Sequence, residues 1–303
     1  MISAFRDFLI DFDPNADTEF VAGAYVSRGR SPQGQLSLAP GQIKLAIGPA
    51  ARARIPNPPL ISCLMPTRDR FEQVQFAVAA FRRQTWPNRE LIVLDQNRDG
   101  RLANWIRSLD DPTIRLFPLP GVREPLGTIR NLTVDISSGT FLCNWDDDDM
   151  QHPARLEIAA AAIAATNAVV CTLIRETVWI PAIQGFGVRQ IWPYVNTVMV
   201  HRATNLRYLP LPRGEDVPPV HGLIAQGRAI MLDLPELYLY VMHGRNTADA
   251  RGLAARWQNS TERSEGAASA STFAQLSRIY PVAEYLATLP AGPAPVLMSA
   301  APA

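Results

Sequence analysis

"FLCNWDDDDMQHP", residues Phe141 to Pro153, sets an apolar run directly against four consecutive aspartates. Neighbouring carboxylates repel, and partial burial makes each harder to ionise. The stretch is therefore either a well-solvated turn or a place meant for something positive. Its apolar half, "TFLCNW", reads as a short buried strand, so the acids are the first residues beyond a strand end.

Upstream, the same arrangement recurs. "LISCLM" reads as a strand buried on both faces and runs into "PTRDR"; "ELIVLD" is a second strand and leads into "DQNRDG". Between them Phe71, Val74, Val78 and Phe81 recur at helical spacing, and "QTWPN" stops that helix. Leu102, Trp105, Ile106 and Leu109 mark another helix, and "TIRLFPL" a third strand. Ile129, Leu132 and Ile136 share one face of a helix in "LGTIRNLTVDIS". Pro153 suits the first turn of the helix after the aspartates. Alternating strands and helices predict an α/β fold: a Rossmann-type, mostly parallel sheet flanked by helices. Ligands of such sheets bind beyond the carboxyl ends of the strands. The three loops "PTRDR", "DQNRDG" and "DDDD" should share that edge.

The flanks read differently. Residues 1–58 hold short strand patterns, "EFVAGAYVS", "GQLSLA" and "QIKLAIG", and suggest a small β-rich or irregular N-terminal appendage. "ARARIPNPP" reads as the linker into the main domain, residues 59–247. Past Ile174 the alternation breaks. "TVWIPA" and "GFGVRQIWPY" suggest a hairpin, "NTVMVHR", "AIMLDLP" and "LYLYVM" further strands, and "RGEDVPP" a loop opening a short helix. Residues 248–303 read as a helical extension ending in a disordered Pro/Ala-rich tail.

Composition sets limits on function. The chain has 303 residues, 47% hydrophobic and 19% charged, enough to bury a sizeable core. A formal net charge of +1 recommends neither nucleic acid nor an anionic membrane through bulk electrostatics. Cys63, Cys143 and Cys171 each fall in an apolar strand pattern and read as reduced core residues. The amino terminus meets acids too soon for a secretory signal, so the expected location is cytoplasmic. The most membrane-like stretch, residues 158–174, is broken by Thr166 and Asn167 and reads better as an Ala-rich helix entering a strand. No transmembrane segment is expected; peripheral membrane contact stays open.

Taken together, "LISCLMPTRDR", "FRRQTWPNRELIVLDQ" and "GTIRNLTVDISSGTFLCNWDDDDMQHPARLE" resemble the family-2 glycosyltransferases, whose fold is GT-A. The similarity runs over roughly residues 59–247 and includes "RGED" and "HGRNT" further on. It implies transfer of a sugar from a nucleotide-sugar donor (UDP-, GDP- or dTDP-linked) to a glycan, lipid-linked or small-molecule acceptor, with Mn²⁺ or Mg²⁺. By resemblance Asp148 binds the metal, with Asp146 facing the ribose or supporting the metal, and Asp147 completes the Asp-x-Asp motif. Asp149 is spare, an acid favoured near a helix start. Pro66 and Thr67 match the first donor loop, and Arg68 stands where an aromatic residue is common, so a guanidinium contact would replace stacking on the base. Asp95 matches the acid that accepts from the base, although the residues after it, Gln96, Asn97 and Arg98, depart from the family pattern.

The resemblance also implies that Arg130 faces the diphosphate and that His243 is an additional metal ligand. It puts Asp216 forward as general base, with Glu215 orienting the acceptor or sharing its hydroxyl. Two adjacent carboxylates raise one pKa towards the working pH, which suits that role. Each residue has a plainer reading: a turn-forming Asp95, a surface ion pair for Arg130, a structural His243, ordinary loop acids at 215–216. His152, His201 and His221 have no comparable support. Trp179, Phe186, Trp192 and Tyr194 could stack on a sugar ring, with core packing the plainer role. Two rival functions remain on sequence grounds. One is a non-catalytic nucleotide-sugar or cation-binding protein of the same fold. The other is a two-metal nuclease or phosphotransferase; the near-neutral charge and the lack of a basic, aromatic-rich groove signal count against a nucleic-acid substrate.

Overall fold

The computed structural model describes residues 2–289 apart from Pro32 and Asp249. In chain order its strands are β1 (Thr18–Arg30), β2 (Leu36–Ile47), β3 (Ile61–Thr67), β4 (Arg89–Asp95), β5 (Ile114–Pro118), β6 (Phe141–Asn144) and β7 (Met150–Gln151). There follow β8 (Val170–Leu173), β9 (Thr177–Ile180), β10 (Gly185–Arg189), β11 (Tyr194–His201), β12 (Ala229–Leu232), β13 (Tyr238–Val241) and β14 (Ser260–Ser264). Among the described residues they form a nine-stranded sheet, β2-β1-β12-β8-β11-β6-β3-β4-β5, and a five-stranded sheet, β14-β10-β9-β13-β7.

The block β6-β3-β4-β5 is parallel, as the apolar runs require. Every residue of β3 is buried because both faces of the sheet are covered. Cys63, Met65, Leu91 and Val93 point to one side and share a core with Val74, Val78 and Phe81 of the helix Phe71–Arg82. Leu64 and Ile92, one residue out of phase, meet Val134 of the helix Leu126–Ile136 on the other. That alternation is the pleat at work. Phe81 is fully buried, and cutting such a ring back to Ala costs about 3–5 kcal/mol.

Elsewhere the sheet is mixed. β12 and β8 run parallel, whereas β11 is antiparallel to both its neighbours. The β-rich residues near the N-terminus form a long hairpin, and it is continuous with the main sheet through Ala24–Val26 of β1 paired with Ile230–Leu232 of β12. "GQLSLA" and "QIKLAIG", expected as two strands, are one. Pro40 sits inside β2, which tolerates a residue without an N–H because it is the outer edge.

The expected hairpin of "TVWIPA" and "GFGVRQ" forms as β9 and β10. Past residue 248 the helices Ala250–Gln258, Ala270–Leu276 and Val282–Thr288 fit the helical reading, but β14 intervenes and pairs with β10. Its sequence, "STERS", is polar and carries no apolar period to announce a strand. The tail expected to be disordered lies outside the described residues from 290 onward. The Ala-rich stretch is a helix, Arg155–Thr166, followed by β8, and no helix among the described residues is long and apolar enough to cross a membrane. Pro153 lies in the turn just before that helix rather than inside its first turn, and its carbonyl accepts the Thr85 N–H.

This topology positions one site. Parallel pairing sets Thr67 beside Asp95 at the carboxyl edge, and β6 ends on the same edge at Asn144. The aspartates come next. β7 follows them at once and pairs with β13, whose end leads to His243.

Candidate active site

The four aspartates do four different things. Asp146 accepts Arg130 Nη2 at 2.7 Å. Asp147 is buried and accepts Arg70 Nη1 at 2.7 Å. Asp148 Oδ2 meets His243 Nε2 at 3.0 Å and Arg70 Nη1 at 3.0 Å. Asp149 is not a helix N-terminal acid: it is buried, accepting Tyr238 O–H at 2.7 Å and Val241 N–H at 2.8 Å. It stitches the loop to β13, which is how His243 comes to face Asp148. Burial pushes the Asp149 carboxyl well above its ordinary pKa, with the neighbouring Asp148 and Asp146 adding to the effect. Burial also raises Asp147, despite Arg70. Asp148 feels the same burial, yet Arg70 and His243 outweigh it and hold the carboxylate below its usual range. Of Asp147, Asp148 and Asp149, Asp148 is the one held low.

Arg70 was not expected in this role. Its Nη2 donates to the carbonyl of Arg245 at 2.9 Å, so the guanidinium spans the first loop, the aspartates and the "HGRNT" turn. Burial works against its charge, but Asp147 and Asp148 hold it strongly protonated. The electrostatic puzzle of "DDDD" therefore has a partial internal answer.

Asp148 and His243 bring one hard oxygen and one imidazole nitrogen together, a donor set that suits Mn²⁺. Among the described residues no group of three or more His, Cys, Asp or Glu is gathered to hold a metal. The protein thus offers this pair, leaving further positions to water and phosphate oxygens, as is common for metals that ride on a phosphate ligand. On that chemistry the residues fit a divalent cation. His243 must adjust to take one. Its Nδ1 accepts the Arg245 N–H at 3.2 Å, which leaves the ring proton on Nε2, the atom facing Asp148.

On the other side of Asp146, Arg130 is almost fully buried and bridges two loops. Its Nε donates to Glu215 Oε1 at 2.8 Å, and its Nη1 has no hydrogen-bond partner. Glu215 is committed to this guanidinium and buried. Asp216, next in sequence, feels the same guanidinium through charge rather than through the hydrogen bond that holds Glu215. Burial lifts the Asp216 carboxyl to about 6; Arg130 pulls the other way, while Glu215 and Asp146 add to the rise. Gly127 makes the docking possible. A Cβ there would stand 1.7 Å from the Leu209 carbonyl oxygen and 2.9 Å from Glu215 Cβ. Only a residue without a side chain lets this helix start lie against the 209–215 loop.

Two cavities open on this edge, of about 220 Å³ and about 520 Å³. They adjoin, sharing Pro66, Arg70, Leu126, Asp147 and Thr247. The smaller is walled by the four aspartates, Arg130, Glu215 and Asp216, together with Tyr240 and Arg256. The larger holds Thr67, Arg68, Arg123, Arg245 and Gln96. Asp95 is not among its lining residues: its Oδ1 accepts the Asn97 N–H at 2.9 Å in a local turn, and Gln96 lines the wall instead. Burial raises the Asp95 pKa against the pull of Asn97. Sequence reasoning missed Arg70, Gln96, Arg123, Arg245, Tyr240 and Arg256. Arg70, Gln96 and Arg245 lay inside quoted motifs and Tyr240 in the strand "LYLYVM"; for the two arginines, charge beside an acidic cluster was the available signal.

Most of the aromatic candidates are core. Trp179 and Phe186 are buried and stacked, and Tyr194 is buried with its O–H on the Gln190 carbonyl. Trp192 is exposed and lies edge-on to His221. His152 is structural, its ring between the Leu9 carbonyl and the Ala154 N–H, and burial lowers its pKa to about 4.

Residues 62–182 match the family model described as "Glycosyl transferase family 2". That stretch is similar to glycosyl transferase family 2. Over 107 residues the chain is 30% identical to the "Putative colanic acid biosynthesis glycosyl transferase WcaA" of Escherichia coli K12, a stretch covering 35% of this chain and 38% of that relative. Among solved structures it resembles the mannosyltransferase PcManGT from Pyrobaculum calidifontis, in complex with GDP-Man and Mn²⁺. The TM-score is 0.52 at 15% identity, covering 67% of this chain and 62% of that one. A likeness at that identity speaks for the fold, which is GT-A. TarS 1–349 of S. aureus with UDP-GlcNAc aligns at a TM-score of 0.49 and 15% identity, over 64% of each chain. The family-2 match ends before Glu215, Asp216 and His243, so those three rest on geometry.

Proposed function

We propose that this chain is an inverting, metal-dependent glycosyltransferase that moves a sugar from a nucleoside-diphosphate sugar to an acceptor hydroxyl. The observation that supports it most is that Asp148 and Asp216 wall one cavity while Arg130 ties their loops together. A cation grip and a base are what a single displacement requires on opposite sides of one carbon.

Asp148 and His243 would hold the divalent cation, and a bound Mn²⁺ or Mg²⁺ would neutralise charge growing on the departing diphosphate. Around that position Arg70 and Arg245 supply cationic groups near the shared wall of the two cavities. The larger cavity suits the nucleotide, with Pro66, Thr67 and Arg68 along it and Asp95 just behind Gln96. Asp216 removes the acceptor proton: at about 6 its pKa leaves it ionised at neutral pH yet basic enough to be useful. Glu215 acts through Arg130, setting the guanidinium against Asp146 rather than touching the acceptor. The mannosyltransferase complex with GDP-Man and Mn²⁺ is in keeping with such a donor and metal.

Calorimetric titration with UDP, GDP and dTDP, each with and without Mn²⁺, tests this reading. One nucleotide should bind at micromolar strength with Mn²⁺ and at least tenfold more weakly without it. A protein that bound none of them would not be a nucleotide-sugar enzyme. Binding without hydrolysis or transfer, with acceptors supplied, would favour the non-catalytic alternative.

A further inference from the structure

The smaller cavity is lined by charged groups of both signs, and its arginines are matched at all places but one. Arg130 lies between Asp146 and Glu215, and Arg70 between Asp147 and Asp148. Arg189, at the end of β10, is held by Glu176 at 2.6 Å, and Glu176 also accepts the Asn196 amide at 2.9 Å. Arg213 is engaged as well. Arg256 differs. Among the described residues its guanidinium forms no ion pair; Nη1 donates to the Tyr240 hydroxyl at 2.5 Å, and the guanidinium carbon stands 5.2 Å from that ring's centroid. Nε and Nη2 make no hydrogen bond there, and the Tyr240 hydroxyl keeps its own proton to give. Nor is this contact what anchors the helix Ala250–Gln258. Leu253 and Trp257 do that, buried against Val178, Ile180 and Met242. Leaving a half-buried cation unmatched costs free energy that an anionic ligand would recover.

The position of Arg256 says which ligand. Arg70 serves the wall shared with the larger cavity, whereas Arg256 and Tyr240 line only the smaller one, together with Glu215, Asp216 and Val217. Burial raises the Tyr194 pKa, and Arg189 and Arg256 both lie near enough to offset part of that rise. This places Arg256 towards β11, on the side away from the nucleotide wall. An acidic substrate entering beside Asp146, Asp148, Glu215 and Asp216 meets carboxylates on most sides, and an unmatched cation is where its charge is tolerated. Guanidinium N–H groups and a phenolic O–H match the two oxygens of a carboxylate. Such charge-assisted hydrogen bonds are roughly twice as strong as those to a neutral hydroxyl.

We propose that the smaller cavity takes an acidic acceptor sugar, its carboxylate bound by Arg256 and Tyr240 and its hydroxyl facing Asp216. This rests on the glycosyltransferase reading. The test measures binding of p-nitrophenyl β-glucuronide and p-nitrophenyl β-glucoside to the full chain by saturation-transfer NMR, with Mn²⁺ and each of UDP, GDP and dTDP in turn. We expect the glucuronide to bind at least tenfold more tightly. Arg256→Met, which keeps an apolar stem on the Tyr240 ring, should bring it to the glucoside's level, and Arg256→Lys should keep part of the preference. Nucleotide affinity should match the parent in both variants. Equal binding of the two glycosides, binding of neither, or an unchanged preference in Arg256→Met overturns the proposal. So does a parallel loss of nucleotide affinity in that variant, which would assign the guanidinium to the diphosphate. A titration of UDP-glucuronate against UDP-glucose separates the other source of a carboxylate. A preference for the acid there, abolished by Arg256→Met, would put the charge on the donor sugar and overturn the acceptor assignment. If the parent bound no nucleotide, the enzymatic reading would fail, whereas a glycoside preference that depends on Arg256 would still support the acidic-sugar site.

Discussion

Arg70 Nη1 stands 3.0 Å from Asp148 Oδ2, the oxygen that also meets His243 Nε2. A guanidinium thus shares the carboxylate proposed to hold a metal. Removing it leaves Asp147 and Asp148 buried without their cation, and breaking a buried ion pair in this way costs about 3–5 kcal/mol. Arg70→Met should therefore melt well below the parent in chelator. Mn²⁺ should restore more of the variant's melting temperature than it adds to the parent's, because a second cation can take over the same oxygens. Thermal melts with EDTA and with Mn²⁺ check this; an unchanged melting temperature in EDTA would show that the pair carries little.

His243→Ala removes the nitrogen donor and leaves the carboxylate. Mn²⁺ affinity, measured in the presence of the preferred nucleoside diphosphate, should drop at least tenfold. Mg²⁺ affinity should drop less, since oxygen ligands suffice for it. Equal losses for the two metals would remove His243 from the ligand set.

Asp216 joins function to stability with opposite signs. Its pKa stands at about 6 against an ordinary 3.8 because of burial. Transfer should fall about tenfold per pH unit below 6 and level off above it. For the fold the sign is reversed. The folded state binds this proton more tightly than the unfolded chain does, so stability is lost as pH rises from about 4 to 6, by roughly 3 kcal/mol once the group is ionised. Asp216→Asn should lose about 10²-fold or more in transfer while melting higher than the parent at pH 8. Denaturation at pH 8 and initial-rate assays across pH 5–8 read the two effects. A variant that transferred at the parent rate would end the base assignment.

The sequence made the parallel core legible because its strands are buried on both faces and its helices keep a strict apolar period. β3 and the helix Phe71–Arg82 are of that kind. β14 was invisible: "STERS" pairs at an edge with polar side chains, so backbone hydrogen bonding rather than apolar patterning makes it a strand. The shared edge of "PTRDR", "DQNRDG" and "DDDD" followed from the strand pattern, whereas "HGRNT" and "RGED" entered only through the family resemblance. What each acid does could not be read there. Asp149 and Asp148 are adjacent and chemically identical, and only the tertiary placement of Tyr238, Val241, Arg70 and His243 separates a buried tether from the carboxylate proposed to hold a metal. Glu215 and Asp216 differ for the same reason, through one guanidinium brought from a distant helix.

Gly127 carries the last prediction, because the contact it permits fixes the distance between that helix and the loop that leads to the proposed base. An added Cβ would meet the Leu209 carbonyl oxygen at 1.7 Å and its carbon at 2.8 Å, both backbone atoms that cannot swing aside. In Gly127→Ala the 209–215 loop must move, taking Glu215 from Arg130 and Asp216 from the acceptor position. We expect a stability loss of about 1–3 kcal/mol and a fall in transfer of roughly 10²-fold, the scale of a misplacement of about 1 Å. Gly222, inside the helix Val217–Ile224 with nothing within 4 Å of a built Cβ, is the control. Gly222→Ala should gain about 0.4–1 kcal/mol by restricting the unfolded chain and keep its transfer rate. If both variants behaved alike, close approach at Gly127 would not be what holds the loop.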